Sequence, residues 1–143
     1  MILVTGATGN IGGDLVNLLV AKGAAVRALV RDPAKAAGMQ ARGVEIVAGS
    51  FDRPETLDAA MRGVERVFLL SRSAPDQVAL QGNVVAAAKR AGVRRIVKLS
   101  DAGAGPENPS VFARWYGEIE AQIRSACADG TRASPAHRAV IGR

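Results

Sequence analysis

The chain is poor in the residues that usually carry covalent or metal chemistry. Its 143 residues include one cysteine, Cys127, and one histidine, His137. A lone thiol cannot form an internal disulfide, and Cys127 falls on an expected helix away from any histidine or second thiol. His137 has no second ligand at useful spacing, so no metal site is predicted. Aromatic residues make up only 3% of the chain, too few to stack successive bases of a nucleic acid. No apolar run approaches the length needed to cross a bilayer, and the N-terminus lacks a cationic segment followed by an apolar stretch and a cleavage site. The expectation is a cytoplasmic protein with neither a membrane nor a nucleic-acid partner.

Positive charge is plentiful but spread out. The formal charge is +6 and the isoelectric point near 10.4, which raises the question of phosphate backbones. The arginines are scattered along the chain, however, with no dense basic run beyond Arg94-Arg95, and the last 15 residues supply two of the six net charges. A solvated basic surface accounts for this pattern.

The strongest positive signal is Val4-Thr5-Gly6-Ala7-Thr8-Gly9-Asn10-Ile11-Gly12, with glycines three apart directly after an apolar run. Residues 1–4 read as a buried strand, and Ile11, Leu15, Leu18 and Leu19 begin a helical apolar stripe. Glycines in such a strand-turn-helix allow a tight turn and close backbone approach, and the helix N-terminus offers free N–H groups and a positive dipole end to a diphosphate. A P-loop is excluded, because Gly12 is followed by Gly13 and Asp14 rather than by lysine and a hydroxyl residue.

The same alternation continues. Strands are predicted over residues 25–30, 44–48, 66–70 and 95–99. Helices are predicted over a short segment opened by Asp32-Pro33, over 52–61 with Asp52 and Glu55 as a capping box, over 76–91, and from Val111 through Trp115, Ile119 and Ile123. Residues 100–109 form a glycine- and proline-punctuated loop. Apolar strands separated by helices imply an α/β fold, a parallel sheet covered on both faces. After Asp129 the pattern stops, with only Val140-Ile141 as an apolar pair, and no sixth strand is expected.

These segments together resemble one family. The glycine turn, Val26 to Pro33, Val67-Phe68-Leu69-Leu70-Ser71, Ala91 to Ser100 and the helix containing Arg114-Trp115-Tyr116-Gly117-Glu118-Ile119-Glu120 look like an NmrA-like atypical short-chain dehydrogenase/reductase, from Met1 to about Ala128. The resemblance implies a Rossmann-like, doubly wound NAD(P)-binding domain over 1–128 with about five strands. It also implies an oxidoreductase of the quinone or azo reductase type, acting by direct hydride transfer to a small-molecule, quinone-like acceptor. The alternative is a non-catalytic nucleotide sensor or an inactive truncated remnant, because members are longer and the C-terminal substrate lobe is missing here. Residues 129–143 read as an atypical tail, for which disorder or a shifted reading frame are the expectations. A sheet left open at its fifth strand would favour homodimerisation or aggregation.

Carried over residue by residue, Gly6, Thr8, Gly9, Asn10, Ile11 and Gly12 match the diphosphate loop. Arg31 stands where an acidic residue would accept hydrogen bonds from the ribose of NAD, and an arginine there can pair with the 2′-phosphate of NADP. Lys35 adds a second charge, so NADP(H) is favoured over NAD(H). The other reading makes Asp32 the ribose contact. Leu70 and Ser71 end the fourth strand on the nicotinamide side, and Ser100 and Tyr116 are weaker substrate candidates. The family's Tyr-x-x-x-Lys pair is absent, since Glu120 stands four residues after Tyr116, and no catalytic residue is assigned. Ser50 and Phe51 occupy the place of an acidic residue expected near adenine.

Overall fold

The computed structural model describes residues 1–101, 103–126, 132–133 and 139–142. The five apolar runs become strands β1 (Ile2–Val4), β2 (Val26–Val30), β3 (Glu45–Ala48), β4 (Arg66–Leu69) and β5 (Arg95–Leu99). They pair in parallel in the order β3-β2-β1-β4-β5. Helices α1 (Asn10–Ala21), α2 (Ala37–Gln40), α3 (Pro54–Ala60), α4 (Gln77–Arg90) and α5 (Val111–Ala126) connect them, with a 3₁₀ turn at Pro33–Ala36 before α2. This is the parallel sheet that the strand and helix alternation predicts, in the Rossmann-like order that the family resemblance implies.

Two-residue periodicity divides the core into two layers. Val4, Val26, Ala28 and Val30 pack with Val16 of α1 on one face. Leu3, Leu29, Val67, Leu69 and Ile96 pack with Leu57 of α3, Val84 of α4, and Ile119 and Ile123 of α5 on the other. Arg27 sits beside Glu45 in the β2–β3 register. Its Nε lies 2.9 Å from Glu45 Oε1 and its Nη1 donates to the carbonyls of Ala60 and Arg62, both at 2.7 Å. Arg27 is therefore a strut between sheet and helix end, whereas its place among scattered arginines suggested a solvated charge.

Three further expectations are corrected. The sheet does not stop at five strands: β7 (Ala139–Gly142) pairs antiparallel with β5, and β6 (Arg132–Ala133) pairs antiparallel with β7. Two and four residues carry too little apolar periodicity to read as strands, and their pairing is supplied by the edge of β5, which is thus not left open. Ile11 and Leu18 are 53% and 61% exposed, so the buried face of α1 is set by Gly12 and Val16, with Leu15 and Leu19 only partly covered. Finally, Arg53 rather than Asp52 occupies the N-cap of α3, and Thr56 Oγ1 donates to the Arg53 carbonyl at 2.7 Å. Cys127 and His137 lie outside the described residues, as does most of the rest of 129–143. Among the described residues, no helix is long and apolar enough to cross a membrane and no group of three or more His, Cys, Asp or Glu could hold a metal.

Candidate functional site

Chain direction sets where a ligand can lie. Successive connections run outward from β1 to β2 and β3 on one side and to β4 and β5 on the other, so a crevice opens between the carboxyl ends of β1 and β4. Thr5, fully buried, closes the floor of that crevice. Its backbone N–H donates to the Phe68 carbonyl at 3.0 Å. Its Oγ1 accepts from the Leu70 N–H at 2.8 Å and lies 2.9 Å from the Leu70 carbonyl. Sequence reasoning passed over Thr5, because a threonine after a strand gives no sign of a partner 65 residues away.

The turn that follows is built from backbone. Gly6 has φ of +64°, a left-handed conformation that other residues adopt at a cost. The Gly9 N–H donates to the Gly6 carbonyl at 3.0 Å. A Cβ on Gly12 would stand 2.1 Å from the Gly6 carbonyl oxygen, so only glycine lets α1 start against the turn. The close approach is between helix and turn rather than between helix and strand, and Gly9 is far less confined, with Gly6 O at 3.3 Å from its would-be Cβ. The α1 N-cap is Gly9, no side chain caps the helix, and its first turn has no acidic residue. Thr8, Gly9, Asn10 and Ile11 are exposed around it. Such an end is a ready anion site.

A cleft of about 310 Å³ continues from this turn across the ends of β2, β3 and β4. Gly6, Thr8, Arg31, Leu70 and Ser71 line it, as do Ser50, Phe51, Asp52 and Gln77. Lys35 does not line it and is exposed on the 3₁₀ turn. The Asp32 carboxylate accepts from the Ala34 N–H at 3.1 Å and so caps that turn. Asp52, which the sequence offers as a cap, lines the cleft beside Ser50 and Phe51. A hydrogen bond with the Ser50 side chain holds its carboxyl below the usual range, and the charges of Arg53 and Arg31 act in the same direction.

On the far wall, Ser71 Oγ accepts from Gln81 Nε2 at 2.8 Å. Gln77 is 1% exposed, and neither end of its amide has a hydrogen-bond partner among the described residues. A buried amide left unpaired in a cleft wall favours a ligand or water that supplies the missing bonds.

The end of β5 carries a second polar cluster, which does not line the cleft. Ser100 Oγ donates to Glu120 Oε1 at 2.6 Å, and Glu120 Oε2 lies 3.3 Å from Arg124 Nη1. Lys98, 1% exposed, donates to the Leu99 carbonyl at 2.8 Å and places its Nζ 4.1 Å from the Tyr116 ring centroid. The Tyr116 hydroxyl is 2.9 Å from Ser73 Oγ. By sequence, the acidic residues nearest Tyr116 are Glu118 and Glu120. Instead Glu118 is exposed, Glu120 is engaged by Ser100 and Arg124, and the charge at the ring is Lys98. Burial pushes the Lys98 ammonium down to about 8, against an upward pull from Glu120.

Comparison with known proteins matches this geometry. Residues 6–138 match the NAD(P)H-binding domain family. The NAD(P)H azoreductase of Xenophilus azovorans is 44% identical over 126 residues, covering 88% of this chain and 44% of that protein. Quinone oxidoreductase 2 of Escherichia coli is 38% identical over 103 residues, covering 70% and 36%. The Citrobacter sp. triphenylmethane reductase complexed with NADP(H) superposes with a TM-score of 0.79 at 34% identity, over 88% of this chain and 46% of that one. The chain thus spans less than half the length of these relatives.

Proposed function

The chain belongs to the NAD(P)H-binding family, and on that premise we propose that it is an NADPH-dependent oxidoreductase acting on a small quinone-like or azo acceptor. The observation that carries this reading is the turn in which a Gly12 Cβ would meet the Gly6 carbonyl at 2.1 Å, because it leaves an uncapped helix end opening into the cleft. The residues present fit a nicotinamide dinucleotide: Gly6, Thr8, Gly9, Asn10, Ile11 and Gly12 would hold the diphosphate, and Leu70 and Ser71 the nicotinamide side. The orphaned Gln77 amide offers further hydrogen bonds. When bound, the nicotinamide supplies a hydride, and the protein's part is to orient it and exclude water.

Arg31 supports NADPH over NADH. It lines the cleft at the end of β2, while Asp32, the competing ribose contact, is occupied as a cap. A guanidinium there can pair bidentately with a 2′-phosphate. Lys35, outside the cleft lining, would add only long-range attraction. Two solved relatives, the Citrobacter reductase and E. coli quinone oxidoreductase 2, are described with NADP(H) and NADPH bound.

A second reading, a nucleotide-binding protein without turnover, is favoured by Glu120 standing where the Tyr-x-x-x-Lys pattern needs a lysine. One experiment separates the two. Purified protein is titrated with NADPH and with NADH, following nucleotide fluorescence, and a simple quinone is then added while the reduced-nucleotide absorbance is followed. Tighter NADPH binding with oxidation supports the reductase, binding without oxidation supports the sensor, and binding of neither nucleotide refutes both.

A further inference from the structure

One polar side chain in the cleft wall has no structural duty. Gln77, the first residue of α4, lines the cleft and is 1% exposed, yet neither its Oε1 nor its Nε2 has a hydrogen-bond partner among the described residues. A buried amide left in this state costs stability that a methionine of similar length would not. Gln81, one turn on and also buried, differs: its Nε2 donates to Ser71 Oγ at 2.8 Å and so holds the end of β4. Gln77 holds no protein group in place.

The loop at residues 50–52, after β3, lines the same cleft and is tied down on both sides. The Ser50 N–H donates to Thr56 Oγ1 at 3.1 Å, and Asn83 Nδ2 of α4 donates to the Phe51 carbonyl at 2.8 Å. Leu29, Phe51 and Leu80 add apolar surface to the lining, and Arg31 stands in it at the end of β2. In a dinucleotide phosphate the 2′ carbon neighbours the carbon that bears the base. A ligand with its diphosphate on the Gly6 turn and its 2′-phosphate at Arg31 therefore carries its base into the space bounded by the 50–52 loop and the start of α4. Of the side chains there, the Asp52 carboxylate offers acceptors alone, whereas Gln77 offers a donor and an acceptor in one plane.

We propose that Gln77 is the base-reading residue of this cleft and that it accepts more than one purine. This rests on the reading of the cleft as a dinucleotide site. The edge of adenine sets an amine donor beside a ring-nitrogen acceptor, and a primary amide answers with Oε1 and Nε2. Turning the Gln77 amide to that edge breaks no protein hydrogen bond among the described residues, and the base supplies the two bonds it lacks. Hypoxanthine presents the reverse order, a carbonyl oxygen beside a ring N–H. Because the protein holds neither end of the amide, half a turn about its last torsion matches that edge at the same cost. A carboxylate reading the base would instead accept from the adenine amine and repel the hypoxanthine carbonyl.

Reduced-nicotinamide fluorescence compares NADPH with its hypoxanthine analogue, deamino-NADPH, on the unmodified chain. Affinities within about tenfold of each other are expected, and a larger preference for NADPH overturns the proposal and passes the base to Asp52. Gln77→Met, which keeps the length and drops both hydrogen bonds, should weaken NADPH and deamino-NADPH alike, by about 30-fold. Adenosine 2′,5′-bisphosphate, which has the base but no nicotinamide, is titrated as a displacer of NADPH and should lose the same factor. An unchanged NADPH affinity in Gln77→Met overturns the proposal, and so does an unchanged affinity for the bisphosphate, which would place the amide against the nicotinamide. Without nucleotide, Gln77→Met should melt at an equal or higher temperature, because it removes an unpaired buried amide; a lower Tm would make Gln77 a structural residue and overturn its role. Failure of the cofactor reading shows differently, as no fluorescence change when the unmodified chain is given either dinucleotide.

Discussion

The two halves of the sheet meet at the β1–β4 seam and present their polar groups by different means. On the β1–β3 half, the proposed anion site is made of peptide groups: the left-handed Gly6, the Gly9 N-cap and the Gly12 contact need no side chain at all. On the β4–β5 half, Lys98, Tyr116, Glu120, Ser100 and Ser73 come from three elements and touch only because the fold brings them together. Backbone sites are specified by local conformation and tolerate little change in residue size. Side-chain clusters are specified by packing, and they make charge state the sensitive variable.

The sharpest way to break this contrast is Gly12→Ala. The added Cβ has no flexible neighbour to displace, so thermal unfolding should register a loss of about 3 kcal/mol, and fluorescence titration about a 100-fold weaker hold on NADPH, equivalent to roughly 2.8 kcal/mol. Retention of both would mean that the turn is not fixed by its backbone.

The opposite half should respond to pH instead. Burial holds Lys98 in the folded chain at about 8, below the ordinary 10.5, so between those values the unfolded chain binds the additional proton. Stability should therefore rise with pH across that window, by on the order of 3 kcal/mol, and the penalty should be fully present below pH 8. Denaturant melts of the unmodified chain against Lys98→Met isolate this term. Parallel stability curves for the two would remove the charge from the account.

The seam itself is tested by Thr5→Val, which keeps the shape but deprives the buried Leu70 N–H of its acceptor. A loss of about 2 kcal/mol is expected in chemical denaturation, and a neutral result would show that water replaces the hydroxyl. The smallest effect belongs to the rim: Arg31→Glu should weaken NADPH about tenfold, roughly 1.4 kcal/mol, and leave NADH within about twofold in paired titrations. Equal losses for both nucleotides would remove Arg31 from cofactor choice.

The same contrast explains what could be read from the sequence. The five parallel strands are short apolar runs, and the glycine turn that opens α1 is a contiguous stretch whose glycines have a local steric reason, so both were legible. Asp52 was misassigned because a carboxylate three residues before Glu55 satisfies the capping pattern, although Arg53 takes the cap and frees Asp52 for the cleft. Lys98 was passed over inside a strand, since nothing local distinguishes a lysine whose stem runs to solvent from one beneath an aromatic ring on a helix 18 residues later. Ile11 and Leu18 suggested a buried stripe, but the glycine contact rotates α1 so that Gly12 and Val16 face the sheet. The strands β6 and β7 owe their existence to a partner edge, which no windowed pattern contains.

Thr5 bears on time as well as on strength. Its contacts to Phe68 and Leu70 fix the spacing of the two strand ends during folding, before any ligand arrives. A nucleotide entering the crevice should then find the strand ends already spaced, and capture is expected as a single bimolecular event whose observed rate grows linearly with ligand concentration, without a slower plateau from a rearranging seam.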